Sequence, residues 1–594
     1  MPRAIGKITK SRKGIGGRGK KKVVNSNNAT ESAETPQPRP NLPETCKPYK
    51  VSSSSKKIDF SEYDKYDIDN SYKNELIDLS ILSDILLQNT ICKNCKQYGL
   101  QIRSENCVGL ASTLILHCLH CDFVVKFSNT KEVKVPDVNK TYCDVNIRLV
   151  YGLRCIGKGL LAGQALCGIL NLPQPPTKFS PYITILHNKC KIAAFDSMKN
   201  AVEEAVQENE VMIEEEKRNV PDVILEPRDI SAGFDGTWQR RGHQSLNGVV
   251  TCTSIDSGKV MDVAVVSKYC ICVDKQNHDA YCYANHKGSS GSMEGAGIRQ
   301  IFLRSEEKYK VRYVSYLGDG DSSSFESIVA LKPYGNTEIK KLECINHVSK
   351  RMGARLRRLK QDLKKQKLDD GKSLGGKNRL TDKKIDQIQS YYGKAIRENK
   401  TVQDMRQAIW AIYCHTGSSD EKPEHRLCPQ GEKSWCKYNK AKAEGKMYEH
   451  KNNLPEPIMQ AIKPIFKALI DPNLLKKCTH GKTQNVNESV NSVIWTRIPK
   501  NNFVTLQTLE FGVFEAVASY NDGNITKCRV LKSLGLEPSY NTIRAMKFLD
   551  SERIRRADQA ISGFLRQSRR LEKLRKRKLE EDEEAATSYD AGMF

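Results

Sequence analysis

Three short segments of this chain place carboxylates where backbone geometry can aim them. In GFDGTW, Asp235 stands at the end of an apolar run and is followed by a glycine. In YVSYLGDGDSSSF, Asp319 and Asp321 close a second apolar run just before a stretch with helical character. In QNVNESVNSVIW, Glu488 lies on a predicted helix, with Asn487 before it and Asn491 and Trp495 at i+3 and i+7. Carboxylates at strand ends and on a facing helix can converge at one edge of a sheet. Converging oxygen ligands bind Mg2+ or Mn2+, and such ions clamp the attacking and leaving oxygens of a phosphodiester. Three carboxylates cannot share a dry pocket without cations to offset them. Taken singly, Gly-Asp-Gly-Asp is a plain turn and a helical Glu a solvated face. Taken together, Asp235, Asp319 and Glu488 predict a metal-dependent phosphoryl-transfer site, with Asp321 the alternative to Asp319.

Cysteine and histidine spacing predicts a second kind of metal chemistry. Cys92-x2-Cys95 is followed after 22 residues by Cys118-x2-Cys121. Two such turns joined by a hairpin close a four-sulfur structural Zn2+ site. The spacer holds Gly99, Gly109 and a strand-like 112–117, which suits a ribbon. Further on, HRLCPQGEKSWCKY offers His425, Cys428 and Cys436, which with Cys414 make a Cys3His set; His415 is the alternative ligand. Cys270, Cys272, His278 and Cys282 suggest a further knuckle, although its Cys-x-Cys spacing is awkward.

The elements that must position these groups are legible in outline. Residues 230–238, 246–255 and 260–273 are rich in Val, Ile and Thr and read as three strands, the last two a hairpin around Asp256-Ser257-Gly258. A helix over 294–307, a strand over 311–317, a helix after Ser322 and a strand near 339–345 complete a mixed α/β sheet. Residues 145–220 read as helical and fit either a helix-turn-helix DNA reader or two packed helices, with 201–218 a charged amphipathic helix serving as a connector. A helix is predicted over 504–520 and a charged one over 551–583, containing RRLEKLRKRK. The expected organisation is a disordered basic tail (1–56), a zinc-ribbon module (57–135), a helical region (136–225), a first core segment (226–349), a helical basic insertion (350–480), a last core segment (481–545) and a charged helical tail (546–594).

The 594 residues carry 96 Lys plus Arg against 70 Asp plus Glu, a formal net charge of +26. That excess points to a polyanionic partner, of which nucleic acid is the commonest. The opening MPRAIGKITKSRKGIGGRGKKKVV has no apolar stretch of signal-peptide length, and Lys20, Lys21 and Lys22 suit a nuclear-import or DNA-contacting arm. No run of apolar residues is long enough to cross a bilayer, so no membrane partner and a soluble, intracellular protein are expected. Twenty cysteines in a reducing compartment then favour metal sites and buried thiols over disulfides. Gly371-x4-Gly376-Lys377 imitates a phosphate loop, but Asn378 stands where Ser or Thr should meet Mg2+.

With LECINH added, in which Cys344-x2-His347 lies between the second Asp and the Glu, these segments resemble the Mutator-like transposase family. The likeness is closest over 226–350 and 480–500 and weaker over the rest of 90–545. The long interval from Asp319 to Glu488 is similar to the helical insertion of these transposases, and GSSGSME at 288–294 resembles a family motif, a turn feeding a helix. The resemblance implies an α/β, ribonuclease-H-like mixed sheet with a helical insertion, preceded by the zinc ribbon and helical region. It implies Asp235, Asp319 and Glu488 as a DDE triad, and Cys344 and His347 as metal ligands or as a buttress of the active site. It also implies a nuclear homo-oligomer acting on double-stranded DNA, both terminal inverted repeats and target. The competing readings are a domesticated, non-catalytic DNA- or chromatin-binding zinc protein and a zinc-dependent interaction scaffold.

Overall fold

The computed structural model describes residues 52–66, 73–219, 226–240, 244–270, 272, 274, 282, 284–318, 322–432, 434–451 and 453–561. The arm around Lys20–Lys22, His278, Asp319, Asp321 and the RRLEKLRKRK run lie outside the described residues.

The chain starts with α1 (Ser53–Lys57), a 3-10 turn (Phe60–Lys65) and α2 (Leu79–Asn89). Ser52, expected in the disordered tail, instead caps α1, accepting a hydrogen bond from the Ser55 N–H at 3.1 Å. The ribbon follows as three antiparallel strands, β1 (Leu100–Val108), β2 (Ala111–Cys118) and β3 (Val124–Ser128), in the order β1-β2-β3. A short antiparallel pair, β4 (Glu132–Lys134) and β5 (Thr141–Cys143), leads into α3 (Asp144–Cys155), α4 (Leu160–Ile169) and α5 (Ser180–Asn219). Of α4 only Gly163 and Cys167 are buried, whereas α3 buries Ile147, Val150, Tyr151 and Leu153. The charged segment 201–218 is no connector but the second half of the 40-residue α5. Its Ala201, Val202, Ala205 and Val206 recur at helical spacing and are buried against the central sheet, while Glu203 and Glu204 on the outer side pair with Arg228 and Lys259.

That sheet contains β6 (Asp229–Trp238), β7 (Asn247–Ser254), β8 (Val260–Ser267), β9 (Arg312–Gly318) and β10 (Lys340–Glu343), in the order β10-β9-β6-β7-β8. The first three are antiparallel neighbours; β9 runs parallel to β6 and β10 parallel to β9. Two helices make the crossovers, α6 (Ser292–Tyr309) and α7 (Ser322–Leu331). GSSGSME is the turn that leads into α6, and the Trp238 indole N–H donates to the Ser290 carbonyl just before the helix at 2.7 Å. The turn between β7 and β8 is closed by the Ser254 hydroxyl, which accepts from the Asp256 and Ser257 N–H groups, and by Gly258 at φ +67°.

Both β7 and β8 are buried at every position because helices cover both faces. Val250, Cys252 and Ala264 join the cluster formed with Ile298, Ile301 and Phe302 of α6. Val249, Val263 and Val265 join the other, with α14 (Asn485–Arg497) and α15 (Leu506–Asp522).

Between the two parts of this core lies the insertion: α8 (Ile345–Asp362), α9 (Asp382–Glu398), α10 (Val402–Gly417), α11 (Lys437–Ala443), α12 (Glu456–Leu469) and α13 (Pro472–Lys476). It has its own core, in which Ile345, Val348, Met352 and Leu356 of α8 meet Ile388, Ile409, Ile462 and Phe466. The Gly371–Lys377 stretch follows a helix rather than a strand, which removes the context a phosphate loop needs.

The chain closes with α16 (Ile525–Ser533) and α17 (Tyr540–Ile561). The tail boundary expected at 546 falls inside α17, whose buried Asp550 accepts from the Tyr63 hydroxyl at 2.7 Å and thereby fastens the 3-10 turn of the opening segment. Among the described residues no helix is long and apolar enough to cross a membrane.

Candidate functional site

Side chains alternate along a strand, so Gly233, Asp235 and Thr237 of β6 share one face, and it is this face that α14 covers. Three contacts dock the helix. The Asn487 amide donates to the Gly233 and Thr251 carbonyls, each at 3.2 Å, and accepts from the Thr253 hydroxyl at 2.9 Å. Asn491 Nδ2 donates to Asp235 Oδ2 at 2.7 Å, and Trp495 Nε1 donates to Thr237 Oγ1 at 2.8 Å. Helix positions 487, 491 and 495 thus pair with strand positions 233, 235 and 237. Four helical residues rise about 6 Å and two strand residues about 6.6 Å, so the pairs stay in step over the whole contact. Gly233 permits the approach, since a Cβ there would lie 3.0 Å from Asn487 Oδ1.

Glu488 sits on the flank of that helix face, one residue from Asn487 and one turn from Asn491. Its side chain is 57 % exposed, with His347 Nε2 3.8 Å from its Oε1. His347 belongs to the first turn of α8. Cys344, at the N-cap of that helix, is buried and accepts a hydrogen bond from the Gln484 backbone N–H at 3.3 Å, while the Gln484 amide donates to the Phe234 carbonyl. The two residues of the Cys-x2-His element therefore have different neighbours: the thiol holds the start of α14 and the imidazole approaches Glu488.

Asn491 Oδ1 is buried and has no hydrogen-bond partner among the described residues. An ionised carboxylate only accepts, so the amide nitrogen must face Asp235 and the oxygen is left needing a donor. A water would supply one. Asp235 and Glu488 are oxygen donors of the kind Mg2+ and Mn2+ take. Asp319 and Asp321 lie outside the described residues; β9, which they follow in sequence, ends at Gly318 directly beside β6. On the opposite face of β6, Glu294 packs behind Gly236, where a Cβ would come within 2.7 Å of its Cγ.

Three clusters of Cys and His side chains gather metal-ligand atoms within 4.8 Å of one another. In the ribbon, Cys92 and Cys121 sulfurs are 3.6 Å apart, as are those of Cys95 and Cys118. Each Cys-x2-Cys is a tight turn: Lys96 N–H donates to the Cys92 carbonyl at 2.9 Å and His120 N–H to Cys118 Sγ at 3.4 Å. Cys270, Cys272 and Cys282 form the second cluster, without His278, which is outside the described residues. The third is His415, His425, Cys428 and Cys436. Here the expected ligand set is corrected, because His415 and not Cys414 turns into the cluster. Neighbours on a helix point about 100° apart, so only one of the two can reach it. Burial pushes His425 down to about 4, which keeps its ring neutral. All three clusters could hold zinc.

A family model described as Mutator-like transposase matches residues 73–436, more than half of the chain. The chain belongs to the Mutator-like transposase family. No curated protein and no solved structure matches it. In this Mutator-like family member the matched span takes in the ribbon, Asp235, Cys344, His347 and the insertion cluster but ends before α14. Glu488 and the docking residues Gln484, Asn487, Asn491 and Trp495 thus lie outside the matched span. Their signal in the sequence was the repetition of polar or indole side chains every fourth residue on one helix.

Proposed function

We propose that the chain is a DDE-type DNA transposase, a ribonuclease-H-like polynucleotidyl transferase that cleaves element ends and joins them to target DNA. The observation that carries this reading is the docking of α14 on β6, with Asn491 bonded to Asp235 one turn from Glu488. The strand order, with β6 and β9 as adjacent parallel strands at the centre, supports the ribonuclease-H-like assignment. Asp235, Asp319 and Glu488 would hold Mg2+ or Mn2+, which when bound activates the attacking oxygen and offsets charge on the phosphodiester. Asn491 keeps the Asp235 carboxylate in one rotamer, and Asn487, Trp495 and Gln484 fix the helix that carries Glu488. Water attacks phosphorus at the element end, the bond to the 3′ oxygen breaks, and that oxygen takes a proton. The freed 3′ hydroxyl then attacks a phosphorus of the target strand, the target's own P–O3′ bond breaks, and that departing oxygen takes up the proton the hydroxyl loses.

Double-stranded DNA, as terminal inverted repeats and as target, is the proposed partner. A path for it is supported by α8, which starts beside Glu488 with His347, exposes Arg355 and Arg358, and is followed by exposed Lys364, Lys365 and Lys367. Zinc in the ribbon would be structural, because four sulfurs leave no open position. The protein would act as a homo-oligomer in the nucleus, delivered by its basic arm.

The test uses the full chain and duplexes taken from the ends of the DNA that flanks its coding region. In Mg2+ or Mn2+ it should nick those ends and join them to a second duplex, and chelator should stop both steps. Asp235→Asn and Glu488→Gln should bind the same duplexes and cut neither. Binding should weaken steeply with salt, with a slope of about −0.9 per phosphate neutralised. Undiminished cutting by Asp235→Asn contradicts the mechanism, and a flat salt response contradicts the partner.

A further inference from the structure

We propose that the insertion is fastened by its own structural zinc ion, held by His415, His425, Cys428 and Cys436, with His425 fixed as a ligand by a chain through His450 to Asp420. The first support is the shape of the cluster. With Zn–S near 2.3 Å and Zn–N near 2.05 Å, a tetrahedral site has N···N edges of about 3.3 Å and N···S edges of about 3.6 Å. The two Nδ1 atoms of His415 and His425 are 3.2 Å apart. Cys428 Sγ lies 3.8 Å from the first and 3.9 Å from the second, and Cys436 Sγ 3.7 Å and 3.4 Å. Five of the six edges of a zinc tetrahedron are therefore present within a few tenths of an ångström.

The second support is where the protons go. His450 Nδ1 meets Asp420 Oδ1 at 2.5 Å, and a carboxylate accepts, so the proton sits on Nδ1. In the neutral ring, which carries one proton, His450 Nε2 is then bare. It lies 2.8 Å from His425 Nε2, which in that form carries the proton between them. That leaves His425 Nδ1 bare and aimed at the two sulfurs and at His415. An imidazole that donates its far N–H into a carboxylate-anchored chain, with its near nitrogen turned to a cluster of thiols, is in the form and orientation of a metal ligand. Ser418 Oγ, 2.8 Å from His425 Nε2 and 3.2 Å from His450 Nε2, closes the same network.

The third support is what the site would hold together. His425, Cys428 and Cys436 are buried, which makes the site closed and structural. His415 rides on α10, anchored in the insertion's core by Ile409 and Ile412. The other three ligands come from the loop and the N-cap of α11, a stretch whose own apolar cluster contains only Ala411, Cys428 and Cys436 with Leu427 and Tyr438 against it. So small a core needs a metal to fix it on the helix.

The full-length reduced protein tests this by metal analysis. His415→Ala and Cys436→Ser should each lose one zinc per chain relative to the unmodified protein. Cys414→Ser should lose none, and Cys92→Ser should lose a different one, so that Cys92→Ser/Cys436→Ser lacks two. Asp420→Asn should keep its stoichiometry yet release the insertion zinc to chelator with about 10- to 100-fold weaker affinity. The unmodified chain gives a second readout by alkylation, read peptide by peptide. Cys428 and Cys436 should become reactive when chelator is added, and Cys414 should react equally with and without it. Equal zinc in the unmodified and Cys436→Ser proteins, loss of zinc from Cys414→Ser with retention in His415→Ala, or labelling of Cys428 and Cys436 that ignores chelator would each overturn the proposal.

Discussion

The central sheet and the ribbon solve the same problem by opposite means. In the sheet, β7 and β8 are buried along their whole length, and Phe234 stacks on Tyr316 and Phe302 at 5.1 and 5.0 Å. In the ribbon, β2 buries Ala111, Leu114 and Ile115, but β3 is exposed at all five positions, α2 buries nothing, and the cluster around the sulfurs is Cys92, Leu100 and Cys118. A deep apolar core can carry a polar helix such as α14 and display acids at its edge, because its stability comes from elsewhere. A module too small to build such a core must take its stability from ligand geometry.

The largest expected effect that separates the two is on global stability. Phe234→Ala removes a fully buried ring from the stack and should cost about 3–5 kcal/mol, lowering the main unfolding transition. Chelation or Cys92→Ser should leave that transition in place and unfold only the ribbon, seen as new protease sites within 90–125. A shared collapse would mean that the ribbon is part of the core.

Next in size is a pH effect confined to the core. Burial pushes the Glu515 carboxyl up, but Lys527 and Arg497 outweigh it and bring it down to about 2. A carboxyl lowered in the folded state adds stability that is present above its ordinary value of 4.5 and is lost as pH falls towards 2. Denaturant unfolding at acid pH should show about 3 kcal/mol of such loss. Glu515→Gln, less stable at neutral pH, should lack that part of the slope; an unchanged slope would place the acid sensitivity elsewhere.

Smaller again is Asn491→Leu. It frees the Asp235 carboxylate while leaving the apolar side of α14 in place. End cleavage should fall about 10- to 100-fold, as for residues that orient a metal ligand. Mn2+ affinity measured by the metal's own paramagnetic signal should fall with it, and the melting temperature should move by only a few degrees. Loss of stability without loss of metal affinity would make Asn491 a packing residue.

The strands were legible in the sequence because β6, β7 and β8 announce themselves by Val, Ile and Thr runs cut by a turn, and the ribbon by its Cys spacing. The unbroken α5 was hidden by its charged outer face, which obscured the spacing of Ala201, Val202 and Ala205. Residues 52–56 read as tail and 57–66 as part of the zinc-ribbon module because their attachments are polar: the Tyr63–Asp550 hydrogen bond, and Lys57, which reaches the Gly258 carbonyl and lies 3.9 Å from the centre of the Tyr520 ring. Spacing alone could not separate Cys414 from His415, because adjacent helical residues satisfy the same count. The acids Asp235 and Glu488 were visible as types in context, whereas the match between a helix step of four and a strand step of two, which brings Asn491 to Asp235, needed three dimensions.

The most direct test of the central claim is anomalous diffraction from crystals soaked in Mn2+. Two peaks about 4 Å apart are expected beside the end of β6 and the flank of α14, with oxygens of Asp235 and Glu488 about 2 Å from them. Manganese bound elsewhere, or bound at Asp235 with the Glu488 carboxylate turned away from it, would contradict a shared metal site and with it the proposed transposase mechanism.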